Sequence, residues 1–494
     1  MSQKPSLPQS PYSVQQALMP NTVSRRPLVA GKTRDYGDLH PRGGRHPEFP
    51  KWGAMKATAT TSDLPAQSSL DEVMRWVREE LDSRHPKPVA ALTAAPTNTK
   101  TLAHLLKDEI ESPATGRLTT TMSPVEAASV ALKRDSSPRA IVAEQWKRSP
   151  TMRVALLTTS AGQAGTGGAE RLYDMLEAAL KSSDVVVERT EIVVEEGDFD
   201  SILRSYLRSY DLDLSGFDGV ISTKAPTYAA RHRNHVSDLI HTMRVFYDMF
   251  DDTFPDPTPA QLAQRVIIHK IDTAAMQRAS LRGRFAVGRE VAERLRIFNG
   301  VDSEVLHHPT SLQGLHEGAF SHLLLPGRLH RWKRVDLALE AVRRMRHRVD
   351  LIVSGAGDDE PRLRELAGGM IGVHFVGHLN DPDLVALYAD ALAVLYCPIR
   401  EDYGLVPVEA FLSGTPVVTC ADSGEAARLV RDGVNGFVCA PNPDAIAARL
   451  DWLLDNRGQA GEMGRRGREA VAHITWDNVC RRLLAALRQP PGVN

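Results

Sequence analysis

Apolar strand-like runs and amphipathic helices alternate strictly along the chain from Met152 onward. The run "RVALLTTS" has the pattern of a short buried strand, and "AERLYDMLEAAL" after it has apolar residues at helical spacing. The alternation continues through "HLLLPGR", "VDLALEAVRRM", "DLIVSGAG", "VHFVGH", "DLVALYADA", "AVLYC", "VEAFLSG" and "PVVTC". Such alternation favours parallel sheets covered by helices on both faces, with ligands at the carboxyl ends of the strands. We therefore predict an α/β fold.

The alternating region divides into two halves. At 494 residues the chain is too long for one ordinary domain. The halves cover residues 151–318 and 319–475, with the histidine-rich "VLHHPTSLQGLHEG" between them. We predict two Rossmann-like, doubly wound domains that face each other across a cleft, and a ligand in that cleft.

Residues 1–150 have a different composition, because 16 of the 31 prolines fall there. The segment "SSLDEVMRWVREEL" has apolar residues on one helical face behind serine caps, namely Leu70, Val73, Met74, Val77 and Leu81. The segment "TLAHLLKDEI" repeats the pattern more briefly. The remainder is rich in Ser, Thr and Pro, which predicts a mostly disordered extension whose short helices fold against a partner or the main body.

Charge and hydropathy restrict the partners. The formal net charge of -1 shows no basic excess that would indicate nucleic acid. The N-terminus "MSQKPSLPQSPYSVQQALMP" lacks the apolar core of a signal peptide, and no stretch approaches about 18 uninterrupted apolar residues. We expect a soluble, cytoplasmic protein without a transmembrane segment; peripheral membrane contact and a protein partner for residues 1–150 stay open. The four cysteines show no CxxC spacing, which predicts buried, reduced thiols.

Two carboxylates stand at a defined spacing in "REDYGLVPVEAFLSGTPVV". Pro407 suits the first turn of a helix and Gly414 its end, so we predict Glu409 in the first turn and Glu401 in the preceding loop. Both would lie at the carboxyl end of the sheet. There Glu409 can accept hydrogen bonds from two neighbouring hydroxyls of a ribose, although acids in a first turn also simply complement the helix dipole.

Two further loops have the residues of an anion site. In "LLLPGRLHRWKRVDLALE" a strand ends in a loop with Arg328 and Lys333 immediately before a helix, which favours a diphosphate, although such side chains are also commonly just solvated. The turn "TTSAGQAGTGGAERLY" is rich in glycine and would let a phosphate or sugar approach its backbone. It is not a P-loop, since no GK[ST] follows, and it does not match the dinucleotide fingerprint cleanly.

Taken together, these segments resemble the retaining glycosyltransferases of family 4, which have the GT-B fold. The resemblance extends from about Arg153 to about Leu487. It depends on the order of "GGAER", "LIHTMRVFYD", "RFAVGREVAERLRIFNGVDSEVLHHP", "GRLHRWKRVDLAL", "VSGAGDDEPRLREL", "VHFVGHLNDPDLVALYADA" and the Glu-x7-Glu segment "EDYGLVPVEAFLSGTPVV". It implies that residues 476–494 form a helix crossing back to the N-terminal domain.

The resemblance also implies roles for individual positions. Arg328 and Lys333 would hold the leaving diphosphate of a nucleotide sugar. Glu409 would bind the ribose hydroxyls, and Glu401 the hydroxyls of the transferred sugar. The catalytic set would be His241 together with Arg328, Lys333 and Glu401.

The remaining implied positions bind substrate. His241 would line the sugar site from the N-terminal domain, and Gly167 and Gly168 would bring backbone against the donor phosphates or the acceptor. Leu405, between the two glutamates, joins the substrate-binding residues. The backbone of residues 375–378 would border the nucleobase.

The implied reaction is transfer of a hexosyl group from a nucleotide diphosphate sugar to a hydroxyl of a sugar or other small acceptor. It would proceed by front-face displacement with retention, without a tightly bound cofactor or metal. Two alternatives stay open: a phosphorylase-like or disaccharide-synthase activity on the same fold, and a non-catalytic sugar-nucleotide-binding scaffold.

The chain departs from the family pattern at two places, and both bear on donor-sugar preference rather than on reaction class. The segment "ADSGEAARLV" has Glu425, Ala426 and Arg428 where relatives often have Gly, Pro and Glu. Gly288 stands where a serine is common.

Overall fold

The computed structural model describes residues 68–84, 152–160 and 168–489. The first described element is helix α1 (Leu70–Arg84), which coincides with the helix predicted from the serine-capped apolar pattern. The second predicted helix of the extension, "TLAHLLKDEI", lies outside the described residues. From Met152 onward, strands and helices build two parallel six-stranded sheets.

The N-terminal sheet consists of six strands: β1 (Met152–Ser160), β2 (Val185–Val193), β3 (Gly219–Lys224), β4 (His235–His241), β5 (Leu281–Ala286) and β6 (Glu304–Val305). They pair in parallel in the order β2-β1-β3-β4-β5-β6. The helices of this half are α2 (Gly168–Lys181), α3 (Phe199–Tyr210), α4 (Phe250–Thr253), α5 (Pro259–Gln277) and α6 (Arg289–Asn299).

The C-terminal sheet consists of β7 (His322–Pro326), β8 (Leu351–Ser354), β9 (Val373–Gly377), β10 (Ala391–Leu395), β11 (Val417–Cys420) and β12 (Gly436–Cys439). They pair in parallel in the order β12-β11-β10-β7-β8-β9. The helices here are α7 (Val335–Arg344), α8 (Glu360–Leu366), α9 (Asp381–Asp390), α10 (Leu405–Leu412), α11 (Glu425–Leu429), α12 (Pro443–Asp455) and α13 (Arg457–Val471).

Both sheets are doubly wound, which confirms the predicted fold class. In the C-terminal sheet the chain moves outward from β7 through β8 to β9 and then resumes on the other side of β7 with β10. In the N-terminal sheet the same reversal lies between β1 and β3. Ligands of such sheets bind outside the carboxyl ends of the strands at the point of reversal. We therefore expect a ligand-binding site at the loops that follow β7 and β10.

A last helix, α14 (Trp476–Arg488), covers the N-terminal sheet although it follows the C-terminal one in the chain. Its buried side chains pack with residues of β1, β3, β4 and β5 in one cluster, among them Leu483, Leu487, Val154 and Phe285. The Nδ2 atom of Asn234 donates a hydrogen bond of 3.0 Å to the Leu487 carbonyl. The N-terminal half is therefore completed by a helix from the far end of the described chain.

Helix α1 is part of the core of the N-terminal half. Its five predicted apolar residues are all buried: Leu70, Val73, Met74, Val77 and Leu81. They share a cluster with Phe199, Ile202 and Tyr206 of α3. A partly buried ion pair of 2.9 Å between Arg84 Nη1 and Asp200 Oδ1 joins the same two helices. Its position in the core predicts that α1 contributes to the stability of the domain.

All four cysteines are buried and have no disulfide partner. Cys397, Cys420, Cys439 and Cys480 are free and buried, which confirms the prediction of buried thiols. None of the described helices combines the length and the apolar character that crossing a membrane requires.

The buried carboxyl group of Asp272, in the core of the N-terminal half, makes the stability of the folded protein depend on pH. Asp272 on α5 is almost fully buried and accepts hydrogen bonds from the Tyr206 hydroxyl at 2.7 Å and the Tyr247 hydroxyl at 2.6 Å. Burial raises its pKa to about 6, although the tyrosines partly oppose the rise. The folded state therefore binds this proton more tightly than the unfolded chain, where an Asp titrates near ~4. Its contribution to stability is highest below the unfolded pKa and falls as the pH rises through about 6.

We expect Asp272→Asn, which cannot titrate, to remove this dependence. The difference in free energy of unfolding, wild type minus variant, should fall by about 2–3 kcal/mol between pH ~4 and pH ~7. Urea unfolding at several pH values measures it, and every other titrating group cancels in the difference. Parallel stability curves for the two proteins would contradict the raised pKa.

Candidate functional site

The cationic residues of the site follow β7, at the point where the C-terminal sheet reverses direction. Arg328 lies in the loop after this strand and is exposed, and no carboxylate of the described residues pairs with it. The loop then forms a single 3₁₀ turn, Arg331–Lys333, that leads directly into α7. The predicted order of strand, cationic loop and helix is therefore present.

Lys333 and Glu401 form an ion pair across the point of reversal. The Lys333 Nζ lies 2.7 Å from Glu401 Oε2 and also donates a hydrogen bond of 3.0 Å to the Tyr396 hydroxyl. Both charged side chains are mostly buried, with 25% and 20% of their surface exposed. Burial alone would lower the pKa of Lys333, but Glu401 outweighs it and raises that pKa above its ordinary value. The lysine is therefore a permanent cation.

Arg334, next to Lys333, holds the loop that contains Glu401. Its Nε donates to the Cys397 carbonyl at 2.7 Å and its Nη2 to the Pro398 carbonyl at 2.8 Å. The same guanidinium pairs with Asp422 at 2.6 Å in the loop after β11. One arginine thus ties together the loops after β7, β10 and β11, which fixes the cation and the carboxylate relative to each other.

Glu409 lies on α10 but not in its first turn. The helix begins at Leu405, so Glu409 is its fifth residue, and the prediction of a first-turn position is wrong. The cause is Gly404, whose φ of 74° lets the chain enter the helix two residues before Pro407. A Cβ at this glycine would lie 2.8 Å from the Tyr396 ring, so the turn requires glycine. Leu405, another predicted site residue, is half-buried at the helix start.

The Glu409 carboxylate is buried and accepts two hydrogen bonds. The Thr310 hydroxyl donates to Oε1 at 2.7 Å and the Tyr388 hydroxyl to Oε2 at 2.6 Å. Burial raises its pKa, although these two donors lower it in part. Each carboxylate oxygen can accept a second hydrogen bond. The side chain is therefore oriented by neutral donors and retains acceptor capacity.

His241 is the last residue of β4 and contacts the C-terminal half through Asp402. The distance from its Nδ1 to Asp402 Oδ2 is 2.5 Å. Asp402 follows Glu401 directly, so the histidine of one sheet and the loop glutamate of the other lie beside each other. The structure thereby brings four predicted residues to one region: Lys333 and Glu401 in contact, Arg328 on the same loop as Lys333, and His241 on the neighbour of Glu401.

The predicted glycines of the N-terminal half are only partly described. Gly168 is the first residue of α2, while Gly167 and the preceding glycine-rich turn lie outside the described residues.

Two departures from the family pattern touch each other across the two halves. A Cβ at Gly288 would lie 2.5 Å from the Asp402 carbonyl oxygen and 2.9 Å from the Glu425 side chain. The Glu425 carboxylate pairs with His307 Nε2 at 2.8 Å and accepts a hydrogen bond from the Glu290 amide at 3.2 Å. The glycine thus makes room for a glutamate that joins α11 to the N-terminal half.

Sequence reasoning missed several residues that orient the site. Asp402 lies inside the glutamate motif, and Arg294 on α6 pairs with it at 2.6 Å from the other half of the molecule. Thr310 and Tyr388, which orient Glu409, were also missed. The one available signal was Asp402 itself, a third carboxylate next to Glu401, because its partners are brought to it only by the fold.

The arrangement combines two cations with two carboxylates of different environments. Arg328 and Lys333 can neutralise an anionic group at the start of α7, where the helix dipole adds to the attraction. Glu401 and Glu409 can accept hydrogen bonds from hydroxyl groups. Such a set suits a ligand that is anionic in its middle and hydroxylated at both ends.

The C-terminal part of the chain matches a known family model. Residues 317–470 match the model described as "Glycosyl transferases group 1". Among sequence relatives, an uncharacterized glycosyltransferase of Methanocaldococcus jannaschii is 31% identical over 166 residues, 32% of this chain and 42% of the relative. A glycogen synthase of Mycobacterium tuberculosis is 32% identical over 200 residues, 39% of this chain and 47% of the relative. The chain thus spans less than half the length of these two relatives.

A third relative matches over a longer stretch. A D-inositol 3-phosphate glycosyltransferase of Kribbella flavida is 28% identical over 346 residues, 63% of this chain and 76% of the relative. These matches support the glycosyltransferase superfamily that the sequence resembles.

Solved structures confirm the two-sheet architecture. A sucrose-phosphate synthase of Thermosynechococcus elongatus superposes with a TM-score of 0.56 at 16% identity, covering 68% of this chain and 98% of that one. An Anabaena protein solved in complex with UDP-glucose superposes with a TM-score of 0.51 at 16% identity, covering 68% and 99%. The GT-B fold expected from the sequence is therefore the fold observed.

Proposed function

We propose that this protein is a retaining glycosyltransferase that moves a hexosyl group from a nucleotide diphosphate sugar to a hydroxyl of a sugar or other small acceptor. The principal support is the position of Lys333 and Glu401, paired at 2.7 Å where the C-terminal sheet reverses direction. The family match of residues 317–470 and the glycosyltransferase relatives support the reaction class.

In this proposal each predicted residue has one task. Arg328 and Lys333 bind the diphosphate, and Glu409 binds the ribose. Glu401, which pairs with Lys333, binds the hydroxyls of the transferred sugar. His241 contacts the sugar from the opposite side.

Each half of the chain would bind one of the two substrates. Residues 151–318 would form the acceptor side and residues 319–475 the nucleotide-sugar side, with the helix of residues 476–494 crossing back to the first. Gly167, Gly168 and Leu405 would contact substrate where the two sides meet.

The proposed mechanism is front-face displacement. The bond from the anomeric carbon to the phosphate oxygen breaks while the acceptor oxygen bonds to that carbon on the same face. The acceptor's proton passes to the departing phosphate oxygen, so no protein nucleophile is needed. Arg328 and Lys333 stabilise the negative charge that grows on the diphosphate, and this differential binding lowers the barrier.

The test begins with a panel of nucleoside diphosphates and their sugars. A bound donor should raise the melting temperature, because a ligand at 100 times its dissociation constant stabilises by about 2.7 kcal/mol. The stabilising donor is then incubated with hydroxyl acceptors, and release of nucleoside diphosphate and the anomeric configuration of the product are measured. A product with inverted configuration would contradict retention, and the absence of both stabilisation and transfer would contradict the function.

The same assay separates the alternatives. A phosphorylase-like enzyme would consume inorganic phosphate together with a glycoside, and a disaccharide synthase would release a free disaccharide. A scaffold would bind the nucleotide sugar without turnover.

The ribose assignment predicts an effect of Glu409→Gln on nucleotide affinity. The variant loses a charged acceptor, and a hydrogen bond to a charged group contributes about 1.5–3 kcal/mol. We expect the dissociation constant of the free nucleoside diphosphate, measured by calorimetry, to rise by about 10- to 100-fold. Glu462→Gln is the matched control, because it changes an exposed glutamate of the C-terminal half that pairs with the surface arginine Arg465. Equal affinities for the variant and the wild type would refute the ribose role.

A further inference from the structure

Asp402 is a buried carboxylate of the C-terminal half whose charged partners come from the N-terminal half. It is 9% exposed and follows Glu401 in the loop after β10. Its Oδ1 accepts a hydrogen bond of 2.6 Å from Arg294 Nη2, and its Oδ2 lies 2.5 Å from His241 Nδ1. Arg244 is a second arginine near this carboxylate, with its Nε 3.7 Å from Asp402 Oδ1. The carboxylate thus uses one oxygen for an arginine and the other for the histidine.

The surroundings keep this carboxylate ionised. Burial alone would raise the pKa of Asp402, but Arg294 and then His241 outweigh burial and hold that pKa well below its usual range. Asp402 is therefore charged at every pH at which the protein would function.

Arg294 and Arg244 are shared between Asp402 and a second acid, Asp248. The Arg294 side chain is only 2% exposed, and its Nε lies 2.8 Å from Asp248 Oδ1. Arg244 lies 3.6 Å from Asp248. Two buried arginines thus face two carboxylates, and the four charges balance. A buried arginine with this arrangement is fixed in place, since losing one partner would leave an uncompensated charge.

His241 has one nitrogen in this network and a large exposed surface. Its side chain is 42% exposed, although Nδ1 is engaged by Asp402. Among the described residues, none hydrogen-bonds to its Nε2. A carboxylate can only accept a hydrogen bond, so neutral His241 must place its proton on Nδ1. Nε2 is then an acceptor with a fixed direction.

We propose that Asp402 is a positioning residue for His241: held by Arg294 from the N-terminal half, it fixes the tautomer and the ring orientation so that Nε2 accepts a hydrogen bond from a hydroxyl of the transferred sugar. The sugar contact depends on the proposed function, whereas the tautomer does not. Since the two halves of the molecule supply the histidine and the carboxylate, His241 is correctly oriented only when they are in contact. Contact between the two halves therefore also orients the histidine that binds the sugar.

The tautomer is tested directly by nitrogen NMR of the full chain labelled with ¹⁵N-histidine, at about pH 8.5, roughly two pH units above the reference pKa of a histidine side chain. The His241 signals are assigned by their absence in His241→Gln. We expect a protonated Nδ1 and an unprotonated Nε2 in the wild type. A wild-type His241 protonated on Nε2 would overturn the proposal, and this measurement needs neither a variant of Asp402 nor any enzymatic activity.

Asp402→Asn then tests the consequence for turnover. The amide can accept from only one of its two former partners, so the tautomer preference of His241 should be lost. We expect kcat to fall by about 10- to 100-fold, as it does when a carboxylate that orients a metal-binding histidine is removed, with the KM of the donor changed by less than about 3-fold. An unchanged tautomer together with an unchanged kcat would overturn the proposal.

Asp248→Asn is the matched control: like Asp402→Asn it leaves one charge of the buried arginine pair uncompensated, but it leaves the contact between Asp402 and His241 in place. We expect the wild-type tautomer and a kcat within about 3-fold of the wild type. Equal losses of kcat in both variants would overturn the positioning role and leave only the arginine network. If the tautomer responds as expected but the wild type transfers no sugar, the result supports the positioning of His241 by Asp402 and contradicts the proposed function.

Discussion

Replacing Lys333 by alanine is expected to reduce turnover by about 100- to 1000-fold while the protein stays folded. The ammonium group is the permanent cation at the point where the C-terminal sheet reverses direction, 2.7 Å from Glu401. In the proposed reaction it meets the diphosphate on which negative charge grows, and removing one such preorganised donor costs about 3–4 kcal/mol of barrier. Release of nucleoside diphosphate under saturating donor measures the effect.

Two further variants, Arg328→Ala and the control Lys181→Ala, test whether the loss of turnover is specific to the diphosphate site. Arg328→Ala should lower turnover in the same way, but without a cost in stability, since Arg328 is exposed and pairs with no described carboxylate. Lys181→Ala removes a lysine that pairs with Glu177 at 2.6 Å on the surface of the N-terminal half, and it should have no effect on rate. Near-normal rates in both Lys333→Ala and Arg328→Ala would refute the diphosphate assignment.

Met74→Ala on α1 should destabilise the protein by about 2–5 kcal/mol, the usual cost of removing a large buried side chain. Met74 is 1% exposed and packs in the cluster that contains Phe199 and Tyr206. Urea unfolding followed by tryptophan fluorescence measures the effect, and Trp76, one of the six tryptophans of the chain, packs against the same cluster. Such a loss would show that α1, a helix from the predicted extension, contributes to the stability of the folded protein.

Glu79→Ala is the control for Met74→Ala. It changes an exposed residue of the same helix, and surface substitutions of this kind usually stay within about 0.5 kcal/mol. If Met74→Ala costs no more than Glu79→Ala, the docking of α1 does not contribute to stability.

Features that depend on local periodicity were predictable from the sequence. The alternation of strand and helix patterns predicted the two doubly wound sheets. The spacing of Leu70, Val73, Met74, Val77 and Leu81 predicted the buried face of α1, residue for residue. The loops with Arg328, Lys333 and Glu401 were predictable because parallel strands place their carboxyl ends at one edge.

Features that depend on backbone conformation or on distant parts of the chain were not predictable. The predicted position of Glu409 in the helix was wrong by two residues because the helix begins directly after Gly404, and a positive φ leaves no mark in a hydrophobic pattern. The environment of Asp402 depends on His241 and Arg294, which are 161 and 108 residues away. Nothing next to Arg294 in the sequence indicates burial, since an arginine on an amphipathic helix normally faces water.

The packing of α14 on the N-terminal sheet has a consequence for synthesis of the protein. The last strand of that sheet ends at Val305, whereas the helix that covers β1, β3, β4 and β5 ends at Arg488, roughly 180 residues later. At about 5–20 residues per second, the ribosome needs about 10–40 s to make the intervening chain. During that time the apolar face formed by Val154, Val236 and Phe285 lacks the part of its cover that α14 supplies. The N-terminal half, although made first, is therefore finished last, and its nascent chain is a substrate for chaperones until α14 emerges.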